Sequence, residues 1–319
     1  MDEPTENMPR PARIRKADEA GIDQAARLLT RGEVVAVPTE TVYGLAANAA
    51  DAGAVARIYA AKGRPDFNPL IVHVPDIAAA ERLVKLSDGA RRLAVAFWPG
   101  PLTLVLPKRE DAPVAPAVTA GLPTLAVRCP AHPAMQALLK ASGLVLAAPS
   151  ANRSGRISPS EADHVAADLG TRIPLILDGG PARRGIESTI VAIDGDGGWR
   201  LLRPGPIAPN AIAALIGRAS DATHEKIEAP GQLASHYAPS KPLRLNASMA
   251  EADEWLIGFG PIPGDENLSA SGDTAEAAAH LYAALHRADA GPMARIAVAP
   301  IKGDMADAIN DRLSRAAVR

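Results

Sequence analysis

The chain has 319 residues, 47% of them hydrophobic and 22% charged, with a formal net charge of -2. That length buries a full core in about two domains, and the near-neutral balance excludes nucleic-acid or membrane attraction through bulk charge, so any anion site must be local. Aromatic residues at 3% argue against a base-stacking sheet, and the single cysteine, Cys129, excludes an intrachain disulfide or a thiolate metal cluster.

Residues 1–13 carry no apolar stretch of the kind a signal peptide needs and read as a disordered tail; no apolar run approaches the ~18 residues of a membrane span, so a cytoplasmic protein is expected. Asp18 to Arg31 places Ile22, Ala25, Ala26, Leu28 and Leu29 at helical spacing, with Asp18 as N-cap and Gly32 just past the end. Glu33 to Pro38 is a predicted strand, Asp51 to Ala61 a helix, Leu70 to Val74 a strand, and Asp76 to Leu86 and Asp88 to Phe97 two helices. Further strands are predicted at Leu102 to Leu106, Thr124 to Cys129, Leu144 to Ala147, Leu175 to Leu177, Thr189 to Ile193 and Trp199 to Leu202, with helices at His132 to Ala141 and Ser160 to Leu169. Strands alternating with helices imply an α/β sheet, and a hairpin turning at 194–198 makes it a mixed one. After a short helix at Pro209 to Gly217, the polar stretch 218–241 is too long for an ordinary connector and reads as a linker or lid. Leu243 to Leu245, a helix, Trp255 to Phe259, Thr274 to Ala288, Ile296 to Ala299 and Met305 to Ala317 form a second, smaller βαβ-type unit.

The chemistry gathers where apolar runs end. Val34 to Val37 stops at Pro38 and opens into Thr39, Glu40, Thr41 and Tyr43; polar groups crowded there are costly to leave unpaired and usually face a ligand. Lys62 and Arg64 flank Gly63, Arg128 ends a strand, and Arg203 precedes Pro204-Gly205. Any one of these cations alone could be a solvated surface charge. Their recurrence at segment ends points to a shared anion pocket, because open α/β sheets bind ligands at strand ends and arginine grips carboxylate or phosphate with two parallel bonds. Ala148 to Gly155, with Ser150 and Asn152, fits a phosphate cradle or, equally locally, a turn leading to a helix cap. His73 lies in a strand, where a histidine is usually packed rather than catalytic. Neither a Walker-type phosphate loop, nor G-x-G-x-x-G, nor G-x-S-x-G occurs, so a nucleotide site would be of another kind.

In order along the chain, Pro38-Thr39-Glu40-Thr41-Val42-Tyr43-Gly44-Leu45, Lys62-Gly63-Arg64-Pro65 through Leu70, Trp98 to Thr103, Thr124 to Pro130, Pro149 to Gly155, Glu187 to Ile190, Leu202 to Gly205 and Ser235-His236-Tyr237-Ala238-Pro239 resemble the YrdC-like threonylcarbamoyl-AMP synthases in their long form. The resemblance covers about Ile14 to Lys241. It implies a twisted, open, mixed α/β sheet with a deep basic cleft over 14–207, a lid-forming linker over 208–241 and a small Rossmann-like domain over 242–319. It further implies synthesis of threonylcarbamoyl-AMP and pyrophosphate from L-threonine, bicarbonate or CO2, and ATP with Mg2+, the product passing to tRNA-modifying machinery with at most a weak tRNA contact. Carried over by position, Lys62 and Arg64 are the catalytic cations. Thr41, His73, Arg128, Ala148 and Ser188 contact threonine, with Arg128 on its carboxylate. Arg64, Asn68, Thr124, Ser150, Asn152, Arg203 and Tyr237 contact the nucleotide. Some family members carry a hydroxyl where this chain has Ala148, leaving only its backbone for threonine. Two other readings remain open at this point: carbamoyl transfer of the hydrogenase-maturation type, which the lone cysteine disfavours, and a non-catalytic RNA-binding or ribosome-assembly factor.

Overall fold

The computed structural model describes residues 11–194, 198–220, 228–232 and 235–318. The expected tail therefore lies outside the described residues up to residue 10, as does the tip of the 194–198 hairpin. The first unit runs β1 (Arg13–Lys16), α1 (Glu19–Thr30), β2 (Val35–Val37), β3 (Gly44–Asn48), α2 (Ala52–Lys62), β4 (Ile71–His73), α3 (Ile77–Glu81) and α4 (Asp88–Phe97). It continues through β5 (Leu102–Pro107), α5 (Pro116–Thr119), β6 (Thr124–Arg128), α6 (Pro133–Ser142), β7 (Leu146–Ala147), α7 (Ala162–Leu169), β8 (Leu175–Asp178), β9 (Thr189–Ile193), β10 (Trp199–Arg203) and α8 (Pro209–Ile216). Its strands form a ten-stranded mixed sheet in the order β1-β8-β2-β3-β7-β4-β6-β5-β9-β10. The second unit comprises β11 (Leu243–Arg244), β12 (Glu254–Gly258), β13 (Glu266–Asn267), α9 (Thr274–Ala290), β14 (Arg295–Val298) and α10 (Ala306–Ala317), with a four-stranded parallel sheet ordered β11-β14-β12-β13.

Local chemistry sets several boundaries. Asp18 caps α1 by accepting from the Gly21 N–H, and Asp51 caps α2 by accepting from Gly53 and Ala54. Gly63 ends α2 at φ 57°, a left-handed conformation that costs glycine little and turns Arg64 back toward the sheet. Register then does the positioning. In the parallel β4–β6 pair His73 stands opposite Arg128, and in the parallel β5–β9 pair Leu102 stands opposite Thr189 and Thr103 opposite Ile190.

The structure departs from the sequence expectation at five elements. Arg13 already pairs in β1, inside the expected tail, opposite Leu175 of β8. Strand β3 reads Gly-Leu-Ala-Ala-Asn, without the β-branched residues that mark a strand, and is held by β2 and β7 on its two sides. Strand β13 and the single-turn α5 are too short to leave a periodic signal. The helix expected between Leu245 and Trp255 does not form: Asn246 is left-handed at φ 58°, and the Ala247 N–H is taken by the Val298 carbonyl.

The two units share buried surface. Val42, Ile157, Ile186 and Tyr237 belong to the same apolar cluster as Ile257, Leu281, Leu285, Ile309 and Leu313. Gly185 (φ 66°) makes this approach possible, because a Cβ there would sit 2.2 Å from the Ala278 carbonyl oxygen of α9. At the same boundary the rings of His164 in α7 and His286 in α9 stack at 3.9 Å. Burial pushes both imidazoles down to about 4; the Arg287 charge adds to this at His164, and His164 itself adds to it at His286. A histidine whose folded value is depressed contributes stability above its unfolded value near 6.5 and loses it as pH falls toward 4. Thermal melting should therefore drop between pH 6.5 and 4, by on the order of 1 kcal/mol per ring after allowing for partial exposure. His164→Phe should flatten this part of the melting profile; an unchanged acid slope in that variant would remove the pair as its cause.

Candidate functional site

Four loops and strand ends meet around one cavity. The first is the turn after β2. Thr39 Oγ1 donates to the Val42 carbonyl at 2.6 Å and accepts from the Thr41 and Val42 N–H groups at 3.2 Å, which folds the Pro-Thr-Glu-Thr run into a compact hydroxyl-lined turn. Tyr43, next in the run, turns away: its hydroxyl donates to the Gly180 carbonyl at 2.8 Å. One residue contributes less obviously. Glu40 is buried and accepts from Arg128 Nη2 at 2.5 Å and from the Ala131 N–H at 3.1 Å.

Arg128, at the end of β6, is 4% exposed and is held in a fixed orientation. Besides Glu40, its Nη1 donates to Thr41 Oγ1 at 2.9 Å and its Nε to the Gly100 carbonyl at 3.2 Å. Burial would raise the Glu40 carboxyl, but the Arg128 charge and hydrogen bond outweigh it and hold the group below the usual carboxylate range. Beside them His73 is buried, and burial together with the neighbouring Arg128 charge lowers it to about 3, so it is a neutral imidazole at pH 7.

Arg64 follows the left-handed Gly63 and is clamped by its own loop. Its Nε donates to the Asn68 carbonyl (3.1 Å), and its Nη2 to Asn68 Oδ1 (2.6 Å) and the Pro69 carbonyl (2.8 Å). Lys62 does something different. Its Nζ donates to the Ser150 carbonyl (2.6 Å), the Asn152 carbonyl (2.5 Å) and Asn152 Oδ1 (3.3 Å), so its three N–H bonds are spent on the 149–152 loop. Burial, with Arg64 nearby, drives its pKa well down. Further bonds from Leu45 N–H to the Pro149 carbonyl and from Ala151 N–H to the Tyr43 carbonyl lock that loop onto β3.

The fourth wall comes from β9, β10 and the linker. Ser188 Oγ lies 2.7 Å from Thr103 Oγ1 and accepts from Arg203 Nη2 at 3.1 Å, while Arg203 Nε donates to the Ser188 carbonyl at 3.1 Å. Arg203 Nη1 also reaches the Pro230 carbonyl at 3.4 Å. The linker thus lies across the opening, with Pro230, Gly231, His236 and Tyr237 in the cavity wall. Gly231 (φ 87°) must lack a side chain, since a Cβ would sit 2.7 Å from the Tyr237 hydroxyl and 2.9 Å from Arg203 Cδ.

Thr41, Arg64, His73, Arg128, Ala148, Ser150, Ser188, Arg203 and Tyr237 line this one cavity. Lys62, Asn68, Thr124 and Asn152 do not. Lys62 and Asn152 form a staple behind the wall, Asn68 holds Arg64, and Thr124 opens β6 at the end opposite Arg128. The Ala148 N–H is taken by the Ile71 carbonyl at 3.0 Å, so it is already committed within the sheet. None of the four cations singled out lies on an outer face, each being at most 8% exposed.

Buried polar atoms normally find partners. Among the described residues, five buried side-chain N or O atoms lack one: His73 Nδ1, His236 Nδ1, Tyr237 OH, Asn68 Nδ2 and Trp255 Nε1. The first three belong to cavity-lining residues and the fourth to the residue that holds Arg64. Each such orphan costs about 1–3 kcal/mol, and their gathering around three buried arginines marks the cavity as built for a polar, anionic ligand.

Residues 27–205 match the family model described as "Telomere recombination", and residues 207–318 match "Threonylcarbamoyl-AMP synthase, C-terminal domain". A threonylcarbamoyl-AMP synthase of Bacillus subtilis is 50% identical over 242 residues, 74% of this chain and 69% of the relative. Another, from Pyrococcus abyssi, is 41% identical over 300 residues, 86% of this chain and 87% of the relative. The chain belongs to the threonylcarbamoyl-AMP synthases. The crystal structure of Pyrococcus abyssi Sua5 complexed with L-threonine matches the synthase with a TM-score of 0.85 at 37% identity, covering 95% of this chain and 96% of that one. Family membership favours the synthase reading over the carbamoyl-transfer and RNA-factor alternatives.

No role is carried over by position to Glu187 and His236, which line the cavity, or to Thr103 and Glu40, which hold Ser188 and Arg128. Glu40 and Glu187 sit inside the motifs that were singled out, yet a carboxylate in an anion pocket makes sense only once its arginine partner is known. Among the described residues no helix is long and apolar enough to cross a membrane.

Proposed function

We propose that the cavity binds L-threonine beside ATP and makes threonylcarbamoyl-AMP and pyrophosphate. The observation that carries this is the convergence of Arg64, Arg128 and Arg203 with the partnerless His73, His236 and Tyr237 atoms on one enclosed wall. Arg128 and Thr41 receive the threonine carboxylate and Ser188 its neighbourhood, while Arg64, Ser150, Arg203 and Tyr237 surround the nucleotide.

On this reading the threonine amine adds to CO2, losing a proton and forming a carbamate. A carbamate oxygen then bonds to the α-phosphorus of ATP as the bond to the β-phosphate bridging oxygen breaks, and pyrophosphate leaves. Neither step needs a covalent enzyme nucleophile. Both need several negative charges held together out of water, which fixed arginines supply without reorganising during the reaction. Closing the linker over the cavity protects a labile mixed anhydride from hydrolysis.

Magnesium, on the same reading, arrives with the nucleotide. Glu187 in the cavity wall is paired with Arg312, and Glu40, outside the wall, with Arg128; among the described residues no group of three or more His, Cys, Asp or Glu side chains could hold a metal ion. Phosphate oxygens and water would therefore be its ligands, and its chemistry would be charge neutralisation of the leaving pyrophosphate. The product would pass, in the cytoplasm, to tRNA threonylcarbamoyl-transfer machinery.

Purified protein incubated with ATP, Mg2+ and bicarbonate should release pyrophosphate only when L-threonine is added, with a threonine-bearing adenylate as co-product. Pyrophosphate release indifferent to threonine, or none at all, would overturn the proposal.

A further inference from the structure

Arg312 in α10 is 1% exposed and comes from the second unit, yet nearly all its partners belong to the first unit's site. Its Nε donates to Glu187 Oε2 at 2.9 Å, its Nη2 to the Glu187 carbonyl at 3.4 Å and its Nη1 to the Pro204 carbonyl at 2.8 Å. Those two carbonyls belong to the residues next to Ser188 and Arg203 in sequence. The guanidinium carbon also lies 5.5 Å from the centre of the Tyr237 ring, which also neighbours the Tyr282 and His236 rings. Glu187 completes its shell with Ser158 Oγ (2.6 Å) and the Tyr282 hydroxyl (2.9 Å).

Glu187 presents a puzzle for an anion pocket: it is a buried carboxylate in the cavity wall. Burial would raise it, but the Arg312 charge, and after it the Arg203 charge, hold it down at about 2, so it is ionised at every working pH. Without Arg312, which it shares with Asp311 (Nη1 to Oδ2, 2.9 Å), the ionised carboxylate would repel the substrates and draw Arg203 to itself, the next cation that it feels.

We propose that Arg312 is a positioning residue for the reaction: by neutralising Glu187 and gripping the backbone beside Ser188 and Arg203, it keeps the Arg203 guanidinium available to the nucleotide. The second unit thereby completes the electrostatics of a cavity to which it contributes no lining residue. The tyrosine of the linker rests on the same arginine, so lid seating and charge balance depend on one side chain.

This rests on the adenylate-forming reading above, and its test separates the two. Pyrophosphate release is followed with full-length parent, R312M, R312K and the double variant E187Q/R312M, varying ATP and threonine independently. R312M should raise the KM for ATP by about 10- to 100-fold, the range of couplings within one charge network, and R312K should fall between it and the parent. Removing the stranded charge in E187Q/R312M should recover at least about tenfold of that loss. A merely structural role would lower the fraction of active protein, and hence apparent kcat, without moving KM, and would give no recovery in the double variant. If R312M does not fold, R312K against E187Q/R312K carries the same comparison. An active parent with KM for ATP in R312M within about twofold, or a double variant no better than the single one, overturns the inference; a parent without threonine-dependent release overturns the reading beneath it.

Discussion

Replacing Arg64 by Ala should bring pyrophosphate release to background, a fall of about 10²–10³-fold or more for the loss of one preorganised charged donor. Arg64 is 8% exposed, and burial lowers its pKa to about 10, which still leaves it charged at neutral pH. Two of its nitrogens are anchored on the Asn68 carbonyl, Asn68 Oδ1 and the Pro69 carbonyl. That geometry is a fork fixed by its own loop in the cavity wall. Truncation also takes the Arg64 donor from Asn68 Oδ1 and the Pro69 carbonyl, while the Asn68 carbonyl keeps the Tyr59 hydroxyl at 3.1 Å, so some stability is lost as well. Arg64→Lys separates the effects, since it keeps a charge but not the fork: it should fold, melt close to the parent and still be impaired by at least about tenfold. Turnover near the parental rate in R64A would remove Arg64 from the reaction.

Arg128→Met should damage both stability and threonine use. The pair with Glu40 is almost wholly buried, and removing one partner of such a pair costs about 3–5 kcal/mol because the other charge is stranded. Without Arg128, burial dominates at Glu40 and its carboxyl titrates above its unfolded value near 4.5. A group raised in the folded state contributes stability below its unfolded value and loses it as pH climbs through the folded one. R128M should therefore gain stability relative to the parent as pH is lowered from 8 to 5, whereas the parental Glu40, held low, contributes in the opposite sense. E40Q/R128M should recover most of the melting temperature but not saturation by threonine, whose carboxylate has lost its arginine. A double variant that regains threonine affinity along with stability would show that Arg128 acts on the fold alone.

Between them, Arg64 and Arg128 illustrate how residue chemistry and register combine. Each lies where an element ends, and each is held by main-chain carbonyls that its own or a neighbouring motif supplies. The carbonyls of Ser150 and Asn152 do the same for Lys62, but there they consume the whole ammonium group. A lysine and an arginine two residues apart thus take different parts, one in the scaffold behind the cavity and one in its wall.

What the residues alone determined was the set of motifs and the alternation of strand and helix, because these depend on short-range physics. Asp18, Asp51 and Gly63 cap or end helices through bonds to residues within four positions, and the apolar runs at β2, β5, β6 and β9 announce buried strands whatever surrounds them. The collection of arginines at segment ends was equally visible. Only the tertiary structure decided which cations face a ligand, since that depends on acceptors far away in sequence: Ser150 lies 88 positions from Lys62, and Glu40 likewise 88 from Arg128. It also revealed β3, a strand made by its neighbours rather than by its own side chains, and withheld the helix after Leu245, where Val298 captures the chain first. The contribution of Arg312 is the extreme case. A polar position on a C-terminal helix carries no local mark of function, and its meaning arises only when packing brings it, 125 residues on, against the buried carboxylate of Glu187.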